Sequence, residues 1–157
     1  MSTGNVTDYV GRTVDLLAFD GLELGGEVLL EQVLAQPGKG GKVITGIQKL
    51  VQRFLLEVFK EKGSDPYSDR GTEFMTEARS GYMTTVVDVH GAFARAILLT
   101  GINLKAEESE SDPDDERYDY AEIVQVQLIQ GTARIWVRLY SLAGEDRAVT
   151  FPVEFPV

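Results

Sequence analysis

The stretch VITGIQKLVQRFLLEVFKEK, residues 43–62, decides how the rest of the chain is read. Ile47, Leu50, Val51, Phe54, Leu55, Val58 and Phe59 recur at spacings of three and four, while Lys49, Gln52, Arg53, Glu57 and Lys60 take the other side. That period predicts an amphipathic helix over 43–62 whose apolar stripe must be covered by another layer. Gly63 is a natural left-handed stop for it, and Pro66 prevents a restart. The segment GSDPYSDRGTEF then reads as an irregular crossing loop.

The covering layer is expected from the last third of the chain. Val124, Val126 and Leu128 alternate with Gln125 and Gln127; Ile135, Val137 and Leu139 alternate with Arg134, Trp136, Arg138 and Tyr140. Period two over both runs predicts a hairpin, joined through Gln130-Gly131-Thr132. AVTFPVEF is a third extended piece, in which Pro152 and Pro156 suit only an edge or a tail. Between helix and hairpin, Tyr82 to Thr100 carries a second helical pattern through Val86, Val89, His90, Phe93, Ile97 and Leu98, with Asp88 and Arg95 outward and Gly101 as its end. His90 on that apolar side reads as a core or helix-interface histidine. The acidic run from Glu107 to Asp119 repels itself and is expected as a solvated or partner-bound loop.

These elements define an α+β fold, with two main helices packed on a small, mostly antiparallel sheet that ends in a C-terminal hairpin. Residues 1–12 read as a flexible arm, 13–36 as short extended segments, Gln36 to Gly41 as a linker, and 43–157 as the α+β domain.

Composition narrows the function. The chain has 157 residues, enough for one domain with a real core, and a formal net charge of −10 that opposes binding to nucleic acid or to anionic membranes. It has no cysteine and one histidine, so thiolate chemistry and any site needing two imidazoles are excluded. No segment has the apolar length of a membrane span, and the polar start lacks a signal-peptide pattern, which leads us to expect a protein made and kept in a cytoplasm. GKGGKV does not have phosphate-loop spacing, and DPDDE lacks the glycine and twelfth-position carboxylate of a calcium loop. No cofactor or metal is expected. Asp114, Asp115 and Glu116 are the only candidates for a metal-dependent hydrolase, and the density of acidic residues is their only support. Trp136 with Arg134, Arg138 and Tyr140 shares one strand face and uses residue types enriched at interface hot spots; the same face would equally suit a core covered by a helix.

The element order and the stretch ITGIQKLVQRFLLEVFKEKGSDPYSDRGTEF together resemble the sheath-initiator, or lysozyme-like baseplate wedge, family of contractile phage tails and related injection machines. Gly63, Pro66 and Gly71 match the glycine, proline and turn glycine that follow the helix in that family. Its Glu-Pro-Arg motif before the hairpin corresponds here to Glu116-Arg117, without the proline. The resemblance implies a structural, non-enzymatic protein of the virion tail baseplate, assembled in the host cytoplasm. It also implies six copies in a ring contacting the tail tube, other wedge or hub proteins and the tail sheath protein. In this reading the hairpin residues Val124, Val126, Leu128, Arg134, Trp136, Arg138 and Tyr140 bind partners. A transient adaptor or assembly chaperone acting through the Trp136 face is the alternative.

Overall fold

A computed structural model describes residues 15–16, 19–20, 31–32 and 43–155. The expected arm at 1–12, the linker and most of 13–36 lie outside the described residues. Four two-residue strands are present: β1 (Asp15–Leu16) pairs antiparallel with β4 (Val43–Ile44), and β2 (Phe19–Asp20) with β3 (Glu31–Gln32). The β1–β4 pairing explains why the first helix, α1 (Gly46–Phe59), starts later than its apolar period implies. Gln52, on the polar side of the pattern, is buried because its side-chain amide donates to Asp15 Oδ2 at 3.1 Å and to the Leu16 carbonyl at 2.6 Å.

After α1 come a short helix α2 (Phe74–Arg79) and the long helix α3 (Val86–Glu107). The spacing pattern did not reveal α2, since six residues span less than two turns and show no period. Its value lies in Phe74, fully buried and edge-on to Phe93 with ring centroids 5.1 Å apart. α3 opens on a capping box: Thr85 Oγ1 accepts from the Asp88 amide, and the Asp88 carboxylate accepts from the Thr85 amide. The Thr84 amide, which donates to the same carboxylate at 3.1 Å, and then the Thr85 bonds hold the Asp88 carboxyl below its usual range.

Gly101 does not end α3, which continues for six more residues. The glycine is there for packing: a Cβ on Gly101 would stand 2.9 Å from Cε1 of Tyr118. His90 is a second correction, since it is exposed on α3 and not part of the core.

The remaining chain forms one antiparallel sheet in the order β5-β6-β7, with β5 Tyr118–Ile129, β6 Thr132–Ser141 and β7 Asp146–Glu154. Pro152 sits in β7, an edge strand of this sheet, where the missing amide can face away from the ladder. The helices cover one sheet face. Ala133, Ile135, Val137, Leu139, Val149, Phe151 and Val153 are buried there against Leu50, Phe54, Val58, Phe93 and Leu104. The fold is therefore α+β, two main helices on an antiparallel sheet, as the two periods predict.

Candidate docking surface

Gly71 and Glu116, both singled out by the family resemblance, have structural work within the chain. Glu57, read from its period as an outward residue, is instead buried: its Oε1 accepts from the Gly71 amide at 2.8 Å and from Asn103 Nδ2 at 2.8 Å, and Arg70 pairs with its other oxygen. A carboxylate taken from water needs such donors, and here they tie the crossing loop to α1 and α3. The loop is further fixed as the Thr72 amide donates to the Lys60 carbonyl at 2.8 Å and the Lys62 amide to the Thr72 carbonyl at 3.0 Å. Gly71 lies where this approach is tightest, at φ +103° with a Cβ position only 2.5 Å from the Lys60 carbonyl oxygen. Gly63 has φ +86° with open space around it, and Pro66 is exposed.

The acidic run is not one solvated loop. Glu116 is 2% exposed and acts as a cap supplied from far along the chain: its Oε1 accepts from Thr45 Oγ1 at 2.6 Å and from the Gly46 amide at 3.1 Å, at the N-terminus of α1. Thr45 itself makes no cap bond to α1, so the distant carboxylate serves instead. Glu108 accepts from the Tyr118 amide at 2.7 Å and from Arg53, whose guanidinium also donates to the Glu116 carbonyl at 3.0 Å. Arg117 lies 3.6 Å from Asp114, an i, i+3 pair in and after a 3-10 turn at Asp114–Glu116. With Glu116 turned inward and Asp114 exposed, the three carboxylates of the hydrolase alternative do not converge, and no cluster of three metal-ligating side chains occurs among the described residues.

The hairpin residues are divided between two faces. Pairing of Ala121 with Leu139, Ile123 with Val137, Val126 with Ile135 and Leu128 with Ala133 puts the β5 members on the helix-covered side, where Val126 and Leu128 pack against the core. Arg134, Trp136, Arg138 and Tyr140 are on the opposite side, away from the helices. On that side Tyr140 stacks on Tyr120 with centroids 4.3 Å apart and donates to Glu122 Oε1 at 2.9 Å, which pushes its phenol up to about 12. Arg138 pairs with Asp146. Trp136 is half-buried and Arg134 exposed.

Val124 belongs to neither set. β5 carries two register irregularities, one between Tyr118 and Tyr120 and one between Ile123 and Gln125, and Val124 is the extra residue of the second, 55% exposed. The bulge shifts the phase of the strand, so Ala121 and Ile123 point inward before it and Val126 and Leu128 after it. The alternation at Val124, Val126 and Leu128 therefore groups Val124 with residues it does not join.

Beside this strand lies the feature that the two periods did not reveal. Among the described residues no strand pairs with the outer edge of β5. Facing that edge, α3 presents Leu98 at 71% exposure, with exposed His90 on the same side. His90, Ala94, Ile97, Leu98, Ala121 and Ile123 line an open groove of about 340 Å³ between helix and strand edge. Leu98 was read with Ile97 on the inward side; Ile97 is buried, but Leu98 faces water. An edge that no described strand covers, beside an apolar groove, suits the addition of a strand from another chain, with the Ala121 amide held meanwhile by the Tyr118 phenol.

Compared with known proteins, the chain matches no family model, no curated protein and no solved structure.

Proposed function

We propose that this chain is a structural assembly protein which docks neighbours by strand addition. In particular, it would be a baseplate component of a contractile phage tail, on which the first ring of sheath subunits forms. The observation that carries this reading is the unpaired edge of β5 next to the apolar groove under Leu98. An incoming sheath strand would pair with the edge and bury the exposed Leu98 of α3. The resemblance of residues 43–155 to baseplate wedge proteins names the setting, with the tail tube and other wedge or hub proteins as further neighbours around a six-copy ring.

The test is made on particles. Tails assembled without this protein should show tubes lacking sheath in electron micrographs, and fully sheathed tails in its absence would refute the reading. A point variant refines it. Val126→Pro would disturb a residue packed on the core, whereas Leu98→Asp changes a side chain in water and should leave the fold within about 0.5 kcal/mol of wild type. Leu98→Asp tails should carry tube but little sheath; normal sheath length in that variant would remove the groove from the mechanism.

A further inference from the structure

The geometry of the β5 edge points to the chemistry of the strand it takes. We propose that Tyr120–Ile123 accepts an extended segment of another protein whose side chains read apolar, basic, apolar opposite Ala121, Glu122 and Ile123. This deepens the docking-edge reading above and rests on it.

The two irregularities bound the window. Each bulge bends its strand and interrupts regular pairing, so an added strand finds continuous ladder geometry only over the residues between them, Tyr120 to Ile123. Within that window the two faces differ. Ala121 and Ile123 look toward α3 and line the groove with Ala94 and Leu98, so residues paired with them place their side chains in an apolar trough. Ala121 is small, which leaves room for a branched or larger side chain beside it.

Glu122 lies on the other face and is exposed. Its cross-strand neighbour on β6 is Arg138, which is ion-paired to Asp146 and shares its charge with Glu122 at longer range, and the uncharged Tyr140 hydroxyl donates to Glu122 Oε1 at 2.9 Å. A Lys or Arg arriving on the open side would stand directly opposite Glu122, and opposite charges in that position attract while like charges repel. The net charge of −10 adds a long-range pull in the same direction.

A second copy of this chain fits the window poorly. The antiparallel register that sets Ala121 opposite Ile123 also sets Glu122 opposite its own copy, placing two carboxylates side by side. The occupant is therefore a strand from a different chain, with a cation between two apolar residues.

The experiment uses the full chain and two capped peptides, Gly-Thr-Val-Lys-Val-Thr-Gly and Gly-Thr-Val-Glu-Val-Thr-Gly, whose palindromic pattern serves either strand direction. Titration to millimolar peptide is followed by amide and methyl NMR. The lysine peptide should shift Tyr120–Ile123 and the Leu98 methyls and bind about fivefold tighter than the glutamate peptide. Glu122→Lys should reverse the preference. Equal binding of both peptides at this edge overturns the charge pattern and leaves the docking-edge reading intact. Shifts confined to other surfaces, or none, overturn both. A dimer of the free protein with slowly exchanging amides over Tyr120–Ile123 also overturns the proposal, by making a second copy the occupant.

Discussion

Tyr118 lies with its ring edge against the bare backbone of Gly101, with Cε1 2.9 Å and the hydroxyl oxygen 3.4 Å from the position a Cβ would take. The same ring stacks on Phe54 at 6.2 Å and lies under the Lys105 ammonium at 5.7 Å, so one contact joins α1, α3 and the start of β5.

Gly101→Ala should therefore destabilise the protein even though alanine is the better helix former. The ring would have to move within a packed core, a cost of about 1–3 kcal/mol that outweighs a propensity gain of about 1 kcal/mol at most. Gly91, in the same helix, offers the contrast: its Cβ position meets nothing nearer than Arg95 Nη1 at 3.7 Å. Gly91→Ala should stabilise by about 0.5–1 kcal/mol. Urea unfolding of the two variants should give midpoints displaced in opposite directions, and a raised midpoint for Gly101→Ala would mean the ring does not constrain Gly101.

A similar contrast separates the two loop glycines. Both have positive φ, but only Gly71 is pressed against backbone, 2.5 Å from the Lys60 carbonyl oxygen. Gly63→Ala should cost about 1 kcal/mol for its left-handed conformation alone. Gly71→Ala must also part the loop from α1 and loosen the hydrogen bond to Glu57, and should cost about 3 kcal/mol or more. Thermal unfolding of the two variants measures the difference directly.

Removing the distant cap of α1 should be felt across the domain. Glu116→Ala leaves the Gly46 amide and the Thr45 hydroxyl without the carboxylate they share, a loss of about 2–3 kcal/mol for charged hydrogen bonds in a buried place. Asp114→Ala removes an exposed partner of Arg117 and should change stability by less than about 1 kcal/mol. Chemical denaturation of both variants distinguishes a capping role for Glu116 from a general effect of the acidic run.

Alkali tests the burial of Tyr118. Desolvation pushes its phenol up to about 12 from an ordinary value of 10.0, so the folded state favours the neutral form. The stability this contributes is fully present below pH 10 and is lost as pH rises toward 12. Ultraviolet absorbance of phenolate should show Tyr118→Phe lacking one late-ionising group. The wild type should lose stability faster than Tyr118→Phe over that pH window; parallel losses would place the phenol in water.

How much of this was legible follows from which interactions are local. Periods of three-to-four and of two are set by helix and strand geometry, so the two main helices, the hairpin and the α+β class could be read from Leu50, Phe54, Phe93, Ile135 and Val137 alone. Negative charge and the absence of cysteine are likewise properties of the chain itself. Tertiary structure decided everything that depends on a distant partner. Gly101 became a packing site because Tyr118 lies on it, Glu57 became buried because Arg70, Gly71 and Asn103 surround it, and Glu116 became a cap because the chain returns to Thr45. The groove beside β5 belongs to the same group. A single bulge at Val124 reset the strand's phase, and only the packing of α3 beside β5 left Leu98 and the edge of Ala121–Ile123 facing one open groove.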